Sequence, residues 1–166
     1  MTNLQASHTR VITREDPIAA VRPGKTISGL AYLKALQSGE LPLPPIAALM
    51  GMWITKVSEG QVVMAVEPSE SHYNHYGTLN RGVIAMLLDS ARGCAIQSML
   101  PAGTSYATLE LKANYLRPIT METGTLYCEG KIIHLGGRIA TAEGRLTDTE
   151  GKLYAHGTAT YFLLRK

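Results

Sequence analysis

The stretch RGVIAMLLDSARGCAIQSM, residues 81–99, decides how the rest of the chain is read. It is rich in helix formers, and Asn80 just before it is a good N-cap. Pro101 and Gly103 stop it. Apolar residues lie nearly all round its first half, from Val83 to Leu88. A helix with that pattern must be covered on more than one side.

The cover is visible on both sides of the helix. Upstream, residues 52–57 and 61–66 read as two strands joined by a tight turn at Ser58-Glu59-Gly60. A polar loop, residues 67–80, leads from them into the helix. Downstream, strands are expected over 106–116, 124–134, 138–148 and 152–164. Over 106–116 the alternation places Ala107, Leu109, Leu111, Ala113 and Tyr115 on one face. Thr108, Glu110, Lys112 and Asn114 lie on the other. Two strands, one long apolar helix and four strands imply an α+β domain in which an antiparallel sheet curls around a central helix. This arrangement is the hotdog fold. Before it, Leu30, Leu33 and Leu36 mark a short helix between Gly29 and Gly39, ended by Pro42, Pro44 and Pro45. Residues 1–27, with scattered charges and Pro17 and Pro23, read as an N-terminal arm. Residues 28–166 read as one domain, with a helical and proline-rich lead-in over 28–49.

The composition sets limits. With 166 residues the chain is long enough for one domain with a substantial core. Apolar residues make up 45% and charged residues 17%. That excludes disorder over the whole length, and the low charge fraction suggests surface buried against a second copy or a partner. The net charge is +3 and the pI about 8.9, without a clustered basic stripe, so no nucleic-acid partner is expected. Asp89 and Arg92 interrupt the longest weakly charged run, so no membrane span is expected. Cys94 and Cys128 have neither zinc nor disulfide-framework spacing and read as small core residues. The N-terminus shows no secretory pattern, and the expected location is the cytoplasm.

Asp89 follows six consecutive apolar residues. One reading makes it a surface carboxylate paired with Arg92, three residues on. The other makes it a functional group, because a carboxylate on an enclosed helix needs partners and such groups gather at active sites. At the start of the helix, the N–H groups of Arg81, Gly82 and Val83 lack intrahelical partners and could hold an oxyanion. Asp89 lies about 12 Å along the axis from Arg81, at ~1.5 Å per residue. One carbonyl cannot touch both on one helix. If both act together, the second comes from another copy across a two-fold axis. His72 and His75 in the polar loop have no further ligand spacing, so no metal is expected. Asn74, a side-chain amide near the start of the helix, is the better candidate there. Gly136-Gly137-Arg138 reads either as a plain hairpin turn or as a place where a phosphate-bearing ligand approaches the backbone. His134 and His156 fall in strands, where structural roles are the default. No nucleophile elbow, phosphate loop or dinucleotide fingerprint is present.

The segment Asn74-His75-Tyr76-Gly77-Thr78-Leu79-Asn80-Arg81-Gly82-Val83, followed by Leu87-Leu88-Asp89, resembles the signature of the phenylacetic-acid-degradation branch of hotdog acyl-CoA thioesterases. Tyr115-Leu116-Arg117-Pro118, His134-Leu135-Gly136-Gly137-Arg138 and Gly151-Lys152-Leu153 strengthen the likeness, which extends over residues 28–164. The resemblance implies a homodimer, commonly paired again into a homotetramer, that hydrolyses acyl-CoA without metal. No cofactor is implied beyond the CoA of the substrate itself. By position, Asp89 matches the general base or nucleophile. Asn74 matches the residue that orients thioester or water, and Arg81 and Gly82 match the backbone oxyanion donor. Thr108 matches a hydroxyl near the water. Gly136, Gly137 and Arg138 match the CoA-contacting segment, and Asn80 and Leu88 line the acyl pocket. The family's His-Gly-Gly is here Asn80-Arg81-Gly82. The arginine keeps the N–H but adds bulk and charge at the pocket mouth, where it could meet a carboxylate-bearing acyl group or the other copy's Asp89. The alternative function is a non-catalytic acyl-CoA-binding or regulatory protein. A hydratase, which would want a histidine near the helix, ranks last.

Overall fold

A computed structural model describes residues 9–14, 16, 18 and 21–165. Residues 1–8, 15, 17, 19 and 20 of the expected arm lie outside the described residues. A single helical turn, α1 (Val21–Gly24), precedes α2 (Gly29–Ser38). The Ser28 hydroxyl accepts the Ala31 N–H at the start of α2, and Gly39 closes its end in the left-handed conformation. The proline run does more than end this helix. Pro45 begins a further one, α3 (Pro45–Met50), because proline's missing N–H costs nothing in a first turn.

The strands follow as β1 (Met52–Ser58) and β2 (Gln61–Val66), then the central helix α4 (Arg81–Gln97), then β3 (Ser105–Tyr115), β4 (Leu126–Leu135), β5 (Ile139–Thr147) and β6 (Leu153–Leu164). All neighbours are antiparallel, in the order β1-β2-β4-β5-β6-β3. The sheet curls around α4, which touches β2, β3, β4, β5 and β6. This is the expected α+β hotdog arrangement. Leu87, Leu88 and Ala91 of α4 are buried in one cluster with Val62, Leu126, Leu146 and Ala155 of the strands, and Ile96 in a second with Ala140, Ala142, Ala159 and Tyr161. Among the described residues no helix is long and apolar enough to cross a membrane.

One expectation fails in β3. The alternation there is not continuous, because the register with β6 shifts between Thr108 and Glu110. Thr108 pairs with Tyr161, whereas Leu111 pairs with Ala159. Both partners are buried, so Leu109 is the extra residue of a bulge, and Thr108 shares the inner face with Leu111 and Ala113. β3 is also a sheet edge, and it leaves Leu109, Leu111 and Tyr115 exposed.

Candidate active site

Asp89 sits halfway along α4, partly exposed at the rim of the core. Two hydroxyls converge on it. Thr108 Oγ1 donates to Oδ1 at 3.2 Å and lies 3.5 Å from Oδ2. The Tyr161 hydroxyl donates to Oδ1 at 3.3 Å. Tyr161 is fully buried, and its ring meets that of Tyr106 edge-on at 5.5 Å. Burial and the Asp89 charge push the Tyr161 phenol well above its ordinary value, so it stays a neutral donor. Tyr161 is the site residue that sequence reasoning missed. The available signal was its place in the inward-facing line Ala155, Gly157, Ala159, Tyr161, Leu163, where it carries the only hydroxyl.

Arg92 is not the surface partner of Asp89. It is fully buried, donates from Nε to the Leu88 carbonyl at 2.9 Å and from Nη1 to the Lys112 carbonyl at 3.3 Å. The three-residue offset places the two side chains on neighbouring sides of the helix, and the curled sheet encloses one of them.

At the start of α4, Asn80 is the N-cap, and its side-chain oxygen accepts the Gly82 N–H at 2.8 Å. That donor is therefore occupied. The Arg81 N–H has no hydrogen-bond partner among the described residues and is left for a ligand. The Arg81 guanidinium lies 5.9 Å from the centre of the Tyr115 ring. A shallow cavity of about 160 Å³ opens there, lined by Thr78, Arg81, Ile84, Tyr115, Arg117 and Ile119. Asn74 builds the loop before it. Its side-chain oxygen accepts the Tyr76 N–H at 2.8 Å, and its amide donates to Thr78 Oγ1 at 3.1 Å. No hydrogen bond joins Asn74 to Asp89.

The remaining candidates lie further off. Gly136, Gly137 and Arg138 make the β4–β5 turn. Gly136 is pressed against the Ile139 carbonyl, while Gly137 faces open space. Arg138 lies over the Phe162 ring, and with Gly137, Ser105 and Arg165 it borders an open groove. Leu88 is wholly buried, so it shapes any pocket only from behind. His72 Nδ1 accepts the Ser69 N–H, and His75 stacks on Tyr76. Among the described residues no three potential ligands cluster for a metal.

The structure thus brings Thr108 to Asp89 and separates both from the helix start. Thr108 and Tyr115 are seven residues apart on β3, roughly 20 Å at ~3.3 Å per residue. The fold and the hydroxyl-held carboxylate define a hotdog domain with a site on the exposed rim of its central helix. Residues 76–155 match the family model described as the thioesterase superfamily, and the chain carries a thioesterase-superfamily domain. A candidate esterase of Halobacterium salinarum is 28% identical over 103 residues, 59% of this chain. The match spans 66% of that relative's length, just short of two thirds. Among solved structures, a phenylacetic acid degradation-related candidate thioesterase of Ralstonia eutropha is similar at 27% identity. Its TM-score is 0.72, with 79% of this chain and 98% of that one covered. A thioesterase family protein of Silicibacter pomeroyi is 25% identical at a TM-score of 0.68, with 74% and 90% covered.

Proposed function

We propose that the protein hydrolyses acyl-CoA thioesters at a site completed by a second copy of the chain. The observation that carries this reading is the Asp89 carboxylate, held by two neutral hydroxyl donors yet open to solvent on one side. A carboxylate so held keeps lone pairs free to take a proton from water or to attack a carbonyl. Attack breaks the carbonyl π bond, and the oxyanion needs a donor. The Arg81 N–H is a free one, reinforced by the helix dipole. Collapse re-forms the carbonyl, breaks the C–S bond and releases CoA thiolate. The proton taken from water by Asp89 is then available to the sulfur, and the acid leaves.

Two copies make the parts meet. β3 is an unpaired edge with apolar residues on show, the kind of edge that pairs with another strand. Antiparallel pairing of two β3 strands about a two-fold near Leu111 sets Thr108 of one copy beside Tyr115 of the other. Asp89 of one copy then approaches the Arg81 N–H of the other, and two equal sites form per dimer. Such dimers could pair again into tetramers. The groove at Gly137, Arg138 and Arg165 borders Ser105, three residues from Thr108. Its arginines suit the phosphates of CoA, with the thioester reaching Asp89.

Release of free CoA from a panel of short, long, aromatic and dicarboxylic acyl-CoAs, together with the mass in solution, tests this. A dimer or tetramer that turns over at least one class is expected. A monomer, or an oligomer inert on every class, contradicts it.

A further inference from the structure

Arg92 is a buried cation with no ion pair among the described residues, and its Nη2 has no hydrogen-bond partner. Burying an unpaired charge is strongly unfavourable, so this position calls for a reason beyond packing. The sheet is cleared to receive it. Gly130, Gly144 and Gly157 stand in register across β4, β5 and β6, directly beneath α4. A Cβ at Gly144 would meet Arg92 Cγ and Cδ at 3.1 Å. One at Gly157 would lie 1.9 Å from the Lys112 carbonyl oxygen, which accepts from Arg92. Larger residues at 144 and 157 would displace the side chain and its acceptor.

Arg92 and Tyr161 reach consecutive carbonyls of α4: Arg92 Nε donates to that of Leu88 at 2.9 Å, and the Tyr161 hydroxyl lies 3.5 Å from that of Asp89. The Arg92 charge acts on the Tyr161 hydroxyl, opposing the upward push from burial and from Asp89. A cation on one side of a hydroxyl and a carboxylate on the other fix its direction, with oxygen toward the cation and proton toward the carboxylate. We propose that Arg92 is a positioning residue for the reaction: from behind the site it orients the Tyr161 hydroxyl as a donor, and so fixes the Asp89 carboxylate. No proton moves along this line, and Arg92, fully buried, acts on the site only through Tyr161. The inference rests on the reading of Asp89 as the reacting carboxylate.

The test uses Arg92→Gln and Arg92→Met in the full chain, each alone and combined with Tyr161→Phe. The expected result is a fall in kcat of about ten- to hundredfold, as for loss of a hydrogen bond to a charged group. KM and the oligomer should be unchanged, and Arg92→Lys should recover part of the rate. In the Tyr161→Phe background the Arg92 substitutions should cost little more, because the link is already cut. Full additivity, or an unchanged kcat, overturns the proposal. If Arg92→Met fails to fold, Arg92→Gln, whose amide can still donate to the carbonyls, carries the same comparison. A crystal structure of Arg92→Gln reads the positioning without turnover. The Asp89 carboxylate should leave the Tyr161 hydroxyl, and an undisturbed contact overturns the proposal. Wild-type turnover abolished by Asp89→Asn but left unchanged by Arg92→Gln would defeat this inference alone. An inactive wild type would defeat the functional reading, and the crystal structure would still decide this one.

Discussion

Thr108 and Tyr161 stand directly opposite each other on β3 and β6, and both hydroxyls reach the same oxygen of Asp89. The sheet register therefore aims a carboxylate that the helix supplies. The bulge at Leu109 makes this possible, since it places Thr108 on the inner face as the partner of Tyr161 while Leu111 and Ala113 also face inward. Without that extra residue, Thr108 and Leu111 would lie on opposite faces of the strand.

Thr108→Val keeps the shape of the side chain and removes the donor. Turnover of the best acyl-CoA substrate should fall roughly tenfold through kcat, with KM nearly constant, as for loss of one hydrogen bond to a charged acceptor. Steady-state kinetics measure this. A change confined to KM would place Thr108 in binding instead.

Leu111→Glu puts a charge on the open edge of β3. If that edge joins two copies, the variant should run as a monomer in light scattering, keep its helix and sheet content by circular dichroism, and lose nearly all turnover. Like charges brought together at a two-fold interface are costly. A monomer with full activity would show that one chain completes the site.

Burial pushes the Cys94 and Cys128 thiols up to about 12, with the Asp89 charge adding to the effect at Cys94. At pH 8 the thiolate fraction is then ~10⁻⁴. The buried Cys128 should not react with iodoacetamide in the folded protein, the partly exposed Cys94 should react only slowly, and both should react fully in denaturant. Mass spectrometry after labelling counts them. Rapid native labelling of the buried Cys128 would mean that the sheet opens over α4.

Asp148 gives the β5–β6 turn a pH dependence. Desolvation pushes its carboxyl up, but the Lys152 N–H, the Tyr154 hydroxyl and the Glu150 N–H outweigh this, and the net shift is downward. A depressed folded value means stability present above the usual carboxylate range and lost as pH falls through the folded value. Asp148→Asn should lower the urea midpoint at pH 7 and match the wild type near pH 2. An equal gap at both pH values would contradict the assignment.

Much of this is legible in the sequence alone. The helix over Arg81–Gln97 announces itself through its apolar surround and Asn80, and each strand through alternation and glycine turns. Asp89 comes with the signature segment and its spacing, and Thr108 with the wider family resemblance. What stays hidden depends on register, which one sequence does not display. The Leu109 bulge inverts a face without altering the local pattern. Tyr161 lies 72 residues from Asp89 and meets it only through the pairing of β6 with β3. Arg92 looks like a surface partner because the helix wheel alone cannot say which side the sheet covers. The glycines beneath it appear as a row only once three strands are laid side by side. The occupation of the Gly82 N–H by Asn80, which leaves Arg81 as the free donor, is likewise a matter of cap geometry.

The central claim is that Asp89 does the chemistry. Its most direct test is CoA release by wild type and Asp89→Asn, at matched oligomeric state, on the best substrate of the acyl-CoA panel. The account predicts a fall of about 10²–10⁴ in kcat, the contribution typical of a positioned acid–base group, with acyl-CoA still bound. An Asp89→Asn variant that turns over at the wild-type rate would contradict it.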